Sequence, residues 1–483
     1  MAGDDLAEGE MEKIRIIGGG LAGPEAALTA ARLGCEVELY EMRAVVDGKP
    51  RLTPAHQTTE FGELVCSNSL KSESPNTAPW LLKQEMRRGG SVLLRIADEA
   101  AVPAGHALAV DRVEFSRRIT EAIEAEPKIR VIREEVTSLE CSDAQTAATI
   151  VATGPLTSDA LSREIERLTG AGHLAFYDSI SPIVDAESIE MSRVYFAARW
   201  DKGTADYINC PMDRGEYDRF LDALLAAEEA ESKEWEKLDY FPPHAPAAGT
   251  WGPRYFESCL PIEILARRGR DTLRFGPMKP VGLRDPRTGK TPWAVVQLRK
   301  ENLRADSYNL VGFQNHLKFG EQAKVLRLIP GLENARFLRY GQIHRNTYIC
   351  APALLDETLV LKGNARELLM FAGQICGVEG YTESIASGML AGIYAAALAR
   401  GEEPAPVPRA TALGSLVHYI THADAKNFQP ANITFDLLEP LDEETRHRVR
   451  DKKERHRLVC ERALEAFDVW RAAIGRPAAE LRS

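Results

Sequence analysis

The chain has 483 residues, of which 44% are hydrophobic and 27% are charged. This balance is that of an ordinary globular protein, and it excludes disordered, collagen-like and disulfide-scaffold chains. The 60 Lys and Arg against 71 Asp and Glu give a formal net charge of −11, which excludes a globally basic nucleic-acid binder but allows a local basic face. At roughly 150 residues per domain, the length predicts two or three structural units.

Cysteine usage and apolar runs indicate a cytoplasmic protein that does not enter a membrane. None of the eight cysteines has CxxC spacing, and their low density favours reduced thiols over a secreted disulfide framework. Residues 1–12 carry five acids and no base, which is unlike a signal peptide. The charge-free stretch Ser384–Ala399 is 16 residues long, short of the roughly 20 that a membrane span needs. It predicts a buried helix.

The first regular elements form a βαβ unit. Ile14–Ile17 is a short apolar run that predicts a buried strand, and it stops at three glycines. Pro24–Leu33 is Ala-rich and predicts a helix that ends at Gly34. Glu36–Tyr40 then predicts a second strand.

The turn inside this unit fits the dinucleotide-binding pattern GxGxxG. Its residues are Gly18, Gly19, Gly20, Leu21, Ala22 and Gly23. Glycines let the backbone approach a pyrophosphate, whose charge lies at the helix N-terminus. Glu41 follows Gly18 by 23 residues, at the end of the second strand, where an acid that binds ribose is expected.

The middle of the chain changes character twice. Residues 50–110 look irregular, and residues 216–238 predict an acidic helix before a proline-rich boundary at 241–246. From Arg254 to Arg345 there are 18 Lys and Arg against 8 Asp and Glu, so this segment is locally basic.

The C-terminal third returns to strand and helix. Leu368–Phe371 predicts a strand that runs into a Gly-rich turn and a long Ala-rich helix. Beyond residue 440 the chain predicts charged helices, and Arg446–Arg457 holds seven bases and two acids.

Two further segments favour FAD over NAD as the dinucleotide. Val151-Ala152-Thr153-Gly154 resembles the strand-then-ATG element of flavoproteins. Phe371-Ala372-Gly373-Gln374 resembles their late flavin-binding element, in which most relatives carry Gly-Asp where this chain has Gly373-Gln374. Tyr381 follows this element and is predicted to lie near the flavin ring or to pack in the core.

Four strings resemble one family in particular. They are TPAH with ELVCSNSL (Thr53–Leu70), AGHALAVDR (Ala104–Arg112), CLPIE with FGPMKPVGL (Cys259–Leu283) and GQICGVEGY (Gly373–Tyr381). Together they are similar to the folate- and FAD-dependent tRNA (uracil-5-)-methyltransferase family, often called TrmFO. The resemblance runs from about Lys13 to Leu438.

The resemblance implies formation of 5-methyluridine at position 54 of the tRNA T-loop. The carbon would come from methylenetetrahydrofolate, and the electrons from NADPH or NADH through FAD. Uracil C5 becomes a carbon nucleophile only after a nucleophile adds to C6, and a thiolate suits that step. Cys259 is predicted to attack C6, and Cys66 to assist at C5 or to hold a flavin-linked intermediate. The reverse assignment stays open, as does a purely structural role for either thiol.

The remaining candidate residues concern the substrates. His316 is predicted to contact the folate pterin, with a structural histidine as the alternative. The basic segment predicts tRNA phosphate contacts, because Lys and Arg gain affinity by releasing counterions. The candidates there are Arg267, Arg268, Lys279, Arg284 and Arg287, with a solvated surface as the alternative. No metal site is expected.

The predicted fold is α/β. A Rossmann-like FAD-binding domain (13–180 and 340–440) is interrupted by a smaller α/β insertion domain (181–339), and a charged helical tail (441–483) follows. Two rival functions remain at this point. One is a flavoenzyme of the glucose-inhibited-division type, which modifies the tRNA wobble uridine. The other is a non-catalytic FAD-containing RNA-binding protein.

Overall fold

The structure is a computed structural model. It describes residues 13–53, 55–140, 143, 145–170, 174–179, 181–230, 260–341, 343–363, 368–426 and 428–474. Cys259 and the whole proline-rich boundary therefore lie outside the described residues, as does the part of the predicted acidic helix beyond residue 230.

The strands in chain order are β1 Lys13–Ile17, β2 Glu36–Tyr40, β3 Ala44–Val46, β4 Lys49–Arg51, β5 Ser69–Ser72, β6 Ala101–Val102, β7 Ala107–Val110, β8 Ile129–Ile132, β9 Thr146–Val151, β10 Leu174–Ser179, β11 Ile183–Asp185, β12 Tyr195–Phe196, β13 Ile208–Met212, β14 Ala294–Lys300, β15 Ser307–Leu310, β16 Phe337–Arg339, β17 Ile343–Tyr348 and β18 Leu369–Phe371.

The helices are α1 Ala22–Arg32, α2 Ala78–Gly89, α3 Val92–Glu99, α4 Arg112–Glu124, α5 Asp159–Thr169, α6 Arg214–Ala226, α7 Ile262–Arg267, α8 Thr272–Phe275, α9 Phe319–Leu326, α10 Ala351–Leu354, α11 Tyr381–Ala399, α12 Ala412–His422, α13 Glu443–Arg448 and α14 Lys452–Ile474.

A five-stranded parallel sheet forms the centre of the predicted FAD-binding domain, in the order β18-β9-β1-β2-β8. Strand β18 and the end of β9 are continuously buried, whereas buried apolar residues alternate with more exposed ones along β2. The predicted βαβ unit and the predicted strand before the Gly-rich turn are confirmed. The Rossmann-like fold class is confirmed as well.

Helices α1 and α11 pack against each other through small residues. A Cβ added at Gly388 would lie 2.3 Å from the Ala22 carbonyl oxygen, and one at Gly392 would lie 2.7 Å from that of Ala26. The backbones can approach this closely only because both positions lack a side chain. The prediction that Ser384–Ala399 is a buried helix is confirmed. No helix in the described part of the chain is long and apolar enough to cross a membrane.

A second, six-stranded sheet has the order β12-β13-β14-β15-β11-β16, and its neighbours pair antiparallel. It carries a hydrophobic cluster of its own, drawn from residues between Val184 and Phe337. The larger cluster draws on residues from Ile14 to Ile165 and from Tyr348 to Ile474. The antiparallel pair β10–β17 lies between these segments in the chain. The exact domain boundaries given above stay a prediction.

The C-terminal helix α14 belongs to the larger cluster. Its residues Cys460, Ala463 and Phe467 are almost fully buried, and Trp470 Nε1 donates a hydrogen bond of 3.0 Å to the Ala405 carbonyl. Its exposed face carries the charge that the sequence shows. The prediction of helices beyond residue 440 is confirmed.

The expectation that residues 50–110 are irregular is wrong for its second half. This region contains helices α2 and α3 and strands β5, β6 and β7. Helix α2 buries Lys83 and Glu85 together with Leu81, Leu82 and Met86, so its apolar face is interrupted by charged residues. These charges hide the helical pattern in the sequence.

Candidate functional site

The Gly-rich turn joins β1 to α1. Gly18 has φ +117°, and a Cβ there would lie 2.4 Å from the Ala152 carbonyl oxygen. A Cβ at Gly23 would lie 1.8 Å from the carbonyl oxygen of Gly18. Gly20 is different, because its Cβ would meet nothing within 4 Å. Gly18 and Gly23 therefore shape the turn, whereas Gly20 leaves room above it for a ligand.

A cleft of about 980 Å³ opens over this turn. Ten of the predicted cofactor-binding residues line it, namely Gly18, Gly19, Gly20, Leu21, Ala22, Glu41, Gly154, Gly373, Gln374 and Tyr381. Gly23 is the exception, since it lies behind the turn and packs against Gly18. The cleft thus collects segments from β1, β2, β9 and β18, at the carboxyl ends of parallel strands.

The chemistry of the cleft suits a dinucleotide pyrophosphate. Helix α1 begins after Leu21 with no side-chain cap, so no side chain of its N-cap engages its first-turn N–H groups. Gly154 has φ +63°, and a Cβ there would also meet nothing within 4 Å. The residues present therefore fit a bound FAD. Gln374 occupies the position where most flavoproteins carry aspartate. Its side chain bonds to Glu379, since its Nε2 donates a 2.7 Å hydrogen bond to Glu379 Oε2.

Glu41 is almost fully buried at the edge of the cleft. Its Oε2 accepts hydrogen bonds from Gly19 N at 2.8 Å and Arg43 Nη2 at 3.2 Å. Its Oε1 accepts from Arg43 N at 2.8 Å and Arg43 Nε at 3.0 Å. Burial alone would raise the pKa of Glu41, but the Arg43 charge and these bonds hold it below its ordinary value. A carboxylate accepts about four hydrogen bonds. A ribose hydroxyl must therefore share or replace one of them.

The segment that carries Cys66 meets the other end of the cleft. Tyr381, which lines the cleft, accepts hydrogen bonds at its Oη from Cys66 N at 2.8 Å and Ser67 N at 3.1 Å. Burial raises the pKa of Tyr381, so its hydroxyl stays protonated. The backbone of Cys66 is therefore joined to the cleft wall by a direct hydrogen bond to Tyr381. The structure places Tyr381 in the cleft as well as against the core.

Two half-buried arginines lie near Cys66. Arg112 Nη1 donates to the Leu64 carbonyl at 2.8 Å and its Nη2 to the Cys66 carbonyl at 3.5 Å. Arg339 Nη2 donates to the Ala55 carbonyl at 3.0 Å, and its charge acts on both Arg112 and Cys66. Glu301 balances one of these charges through a 2.5 Å contact with Arg112 Nε. Neighbouring cations favour the thiolate form of a cysteine.

Asn68 ties this segment to the second sheet. Its Nδ2 donates to the carbonyls of Val110 at 3.0 Å and Lys300 at 2.9 Å. Asn309 Nδ2 donates to Asn68 Oδ1 at 3.4 Å and also contacts Glu301 Oε1. The ELVCSNSL string is therefore held between β7 and the end of β14.

Buried charges fix the strand that follows Cys66. The Lys83 Nζ is fully buried and donates to the Leu70 carbonyl at 2.9 Å and the Lys71 carbonyl at 3.2 Å, and it pairs with Glu73 Oε1 at 2.8 Å. Lys71, at φ +65°, forms a 2.6 Å ion pair with the buried Glu383. These bonds leave β5 little freedom to shift.

Cys259 lies outside the described residues, but the end of its string is described. Glu263 is almost fully buried, and its Oε1 accepts a 2.7 Å hydrogen bond from the backbone N–H of His316. Burial raises the pKa of Glu263 to about 7. His316 is half-buried and does not line the cleft described above, so its contact with folate stays a prediction.

The predicted phosphate-binding residues fall into two groups. Arg267 pairs with Glu229, and Arg287 pairs with Asp285 at 2.7 Å, so these charges are partly used within the protein. Arg268 is exposed at the end of α7. Lys279 and Arg284 are also exposed, and no ion pair is formed by either among the residues the structure describes. They are therefore the better placed of the five for an external anion.

Exposed aromatic side chains accompany these cations. Phe275 is 79% exposed and Trp200 is 63% exposed. Trp200 has φ +61°, and its N–H donates a 2.7 Å hydrogen bond to the Gly282 carbonyl. Arg199 Nη1 donates to the Val281 carbonyl at 2.7 Å, so the two loops are joined. Cations beside exposed rings are typical of surfaces on which unpaired bases stack.

The chain is similar to known proteins over most of its length. The family model described as "Glucose inhibited division protein A" matches residues 13–403. A protein of Koribacter versatilis named methylenetetrahydrofolate–tRNA-(uracil-5-)-methyltransferase TrmFO is 67% identical over 460 residues, which cover 95% of this chain and 98% of the relative. The chain belongs to the TrmFO family. Relatives of the same name from Solibacter usitatus and Bacillus cytotoxicus are 62% and 51% identical, over 95% and 94% of this chain and 99% and 98% of their own.

The fold of this TrmFO chain is similar to that of a solved structure. Aquifex aeolicus GidA in its form II crystal superposes with a TM-score of 0.65 at 17% identity, covering 98% of this chain and 75% of that one. The form I crystal gives a TM-score of 0.60 and covers 93% of this chain and 78% of the other. At this identity the likeness concerns the fold alone.

Several residues of the TrmFO site are not among the sequence-predicted ones. Arg43 lies two residues after the predicted Glu41 and could have been selected for that reason. Arg339 gives no signal in the sequence, because its contact with Ala55 is made only in the fold. Arg112 lies in the AGHALAVDR string and could have been selected from it. Glu301 could have been found only as the acid that a half-buried arginine requires.

Proposed function

We propose that this protein methylates C5 of uridine in tRNA, with methylenetetrahydrofolate as the one-carbon donor, FAD as the bound cofactor and NADPH or NADH as the reductant. The observation that carries the proposal is the 67% identity to a TrmFO protein over nearly the whole length of both chains. The cleft supports it, because its glycines leave room for a dinucleotide. Position 54 of the T-loop is the proposed target, and the cytoplasm the proposed location.

The cofactor site is proposed to use the turn Gly18–Gly23 and Gly154 for the pyrophosphate, with Glu41 near ribose. Gly373, Gln374 and Tyr381 would face the flavin end. FAD, when bound, supplies the electron-transfer and one-carbon chemistry that side chains lack. The protein contributes position and the exclusion of water.

The uracil is proposed to be activated by a thiolate. When the sulfur of Cys259 adds to C6, a C–S bond forms and the electron pair of the C5–C6 double bond moves towards O4, which makes C5 nucleophilic. After C5 has bonded to the methylene carbon, loss of the C5 proton would break the bond between that carbon and its carrier nitrogen and leave an exocyclic methylene on the uracil. A hydride, which NADPH or NADH would supply through FAD, would then complete the methyl group as the C6–S bond breaks and the C5–C6 double bond is restored. Cys66 is the proposed assistant in proton removal.

The substrate surface is proposed to be the exposed face around Lys279 and Arg284. Its support is this pair of exposed charges together with the exposed rings of Trp200 and Phe275.

The proposed cytoplasmic location agrees with the state of the other described cysteines. Free thiols are found at five of them, namely Cys35, Cys210, Cys350, Cys376 and Cys460.

A methyl-transfer assay on unmodified tRNA tests the proposal. The FAD-loaded protein is incubated with labelled methylenetetrahydrofolate and NADPH, and parallel reactions receive labelled S-adenosylmethionine instead. We expect label in tRNA only with the folate, and loss of labelling when U54 of the transcript is replaced by C. Labelling that survives this change but is lost when the wobble uridine is replaced would support the glucose-inhibited-division type of activity. No labelling with any donor would favour a non-catalytic RNA-binding protein.

A further inference from the structure

A cluster of metal-ligating side chains lies away from the cleft. His418 and His422 are one turn apart on α12, and Glu357 lies in the turn between α10 and β18. One ligand atom from each of the three residues lies within 4.8 Å of the others. The two imidazole rings are nearly parallel, with centroids 4.4 Å apart, and His422 Nε2 is 3.6 Å from Glu357 Oε1. None of the three residues lines the cleft.

The hydrogen bonds around His422 indicate which ring nitrogen carries the proton. They therefore also indicate which nitrogen has a free lone pair. The Thr421 hydroxyl donates its single hydrogen to the Val417 carbonyl at 2.7 Å. The same oxygen is 2.9 Å from His422 Nδ1, so it can only accept there, and Nδ1 carries the proton. In the neutral ring Nε2 then holds the lone pair, and it faces a carboxylate oxygen. Either a proton on Nε2 or a metal ion would satisfy both acceptors. The ligand atom of His418, which lies within 4.8 Å of the other two, favours the metal ion.

We propose that Glu357, His418 and His422 bind a divalent transition-metal ion of the zinc type. Two imidazole nitrogens and one carboxylate oxygen are a ligand set that Zn²⁺ accepts, with water in the fourth position. Histidines at i and i+4 project from the same face of a helix, as they do in helical zinc motifs. The Thr421 hydroxyl supplies the outer hydrogen bond that usually orients a metal-binding imidazole.

The surroundings of the cluster leave this position to an added cation. Arg409, the cation whose charge acts on His418, is held by Ser415 Oγ at 2.6 Å and the Leu437 carbonyl at 2.8 Å. It is therefore committed to other acceptors. A metal would join α12 to the turn that precedes β18, and its role would be structural.

Zinc binding to the purified, FAD-loaded protein tests the site. Metal is removed with a chelator, and Zn²⁺ is then titrated by calorimetry into the wild type and the variants His418→Gln, His422→Gln and Glu357→Gln. The matched control is His447→Gln, which changes an exposed histidine of α13. We expect each cluster variant to weaken one zinc-binding event at least tenfold, and the control to leave it unchanged. The bound FAD reports that every variant remains folded.

Electron paramagnetic resonance with Cu²⁺ identifies the ligands directly. Copper generally binds such sites more tightly than zinc. We expect coupling to two nitrogen nuclei in the wild type and to one in His418→Gln. Thermal denaturation should show a rise in Tm on adding Zn²⁺ that both histidine variants lose. Identical zinc isotherms in the wild type and the cluster variants would overturn the proposal, because the metal would then be bound by cysteines elsewhere in the chain.

Discussion

Gly20 is the residue at which cofactor binding and folding can be separated. A Cβ there would meet no protein atom within 4 Å, so the side chain would start in the open space above the turn. We expect Gly20→Leu to fold and to lose bound FAD, measured from the flavin absorbance per protein chain.

The matched control for this change is Gly320→Leu. Gly320 also has an ordinary φ and no neighbours within 4 Å, but it lies at the start of α9. The control should keep its flavin. Stoichiometric FAD in Gly20→Leu would contradict the assignment of the turn to the pyrophosphate.

The two proposed catalytic cysteines should differ in covalent trapping. A thiolate added to C6 of 5-fluorouracil cannot leave normally, because fluorine replaces the proton that must be removed from C5. We expect tRNA containing 5-fluorouracil to form a slowly migrating complex with the wild type and with Cys66→Ala, but not with Cys259→Ala. Denaturing gel electrophoresis measures it.

Both cysteine variants should lose methyl transfer, whereas Cys350→Ala should retain it as the control. A trapped complex in Cys259→Ala and none in Cys66→Ala would exchange the two roles. Full activity in both variants would exclude thiol catalysis.

At the scale of elements, buried carboxylates cap helices across the larger cluster. Glu85 of α2 is fully buried, and its two oxygens accept hydrogen bonds from Ala412 N at 2.7 Å and Leu413 N at 2.9 Å, at the start of α12. Glu25 of α1 accepts from Val92 N and Leu93 N at the start of α3. Each pair joins two helices that are distant in sequence.

These caps predict a pH dependence of stability. Burial raises the pKa of Glu85 from 4.5 to about 8. The folded state therefore holds a proton more tightly than the unfolded state, and the stability from this group is present below pH 4.5 and is lost as the pH rises towards 8. Glu85→Gln cannot ionise. We expect the variant to gain stability relative to the wild type over this window, by at most about 1.4 kcal/mol per pH unit.

Thermal denaturation at pH 5, 6, 7 and 8 measures this difference. Glu444→Gln, an exposed position of α13, is the control and should show a constant offset. A constant offset for Glu85→Gln as well would mean that Glu85 is ionised throughout the window.

The same buried charges explain which elements the sequence predicts. The βαβ unit is a local pattern of strand, glycines and helix, so its bounds can be predicted almost to the residue. Helix α2 escapes prediction because Lys83 and Glu85 read as solvent-facing residues, although both are fully buried. Buried charges are rare, so a periodicity argument assigns them to the wrong face.

At the scale of the whole molecule, the acidic chain needs a local basic surface to bind RNA. Of the five predicted phosphate-binding residues, Lys279 and Arg284 are exposed and form no ion pair within the described part of the chain. We expect Lys279→Glu and Arg284→Glu to weaken tRNA binding and to lower the slope of log Kd against log salt concentration by about one for each phosphate that is no longer neutralised. Filter binding over a range of salt concentrations measures both quantities.

Lys49→Glu serves as the control, because Lys49 is an exposed lysine of the hairpin strand β4. Binding by the two variants that matches the control would place the tRNA elsewhere, and the Arg446–Arg457 segment would be tested next.

The cofactor half of the site is more predictable than the catalytic half. The residues around the pyrophosphate follow one another along the chain, so spacing identifies them. Cys66, Arg112 and Arg339 come from three separate segments, and their proximity depends on how the second sheet meets the first. No local pattern contains that information.

The burial of Lys83 makes its amine a reporter of local opening. Its Nζ is out of reach of amine-acetylating reagents while the Leu70 and Lys71 carbonyls and Glu73 hold it. Burial lowers the pKa of Lys83, so the amine loses its proton more easily than an ordinary lysine. We expect mass spectrometry to show Lys83 acetylated far more slowly than Lys49, and slower still with FAD bound. The rate of Lys83 acetylation would therefore measure how often the Cys66 segment opens locally. Rapid labelling in the holoprotein would mean that this segment opens freely between turnovers.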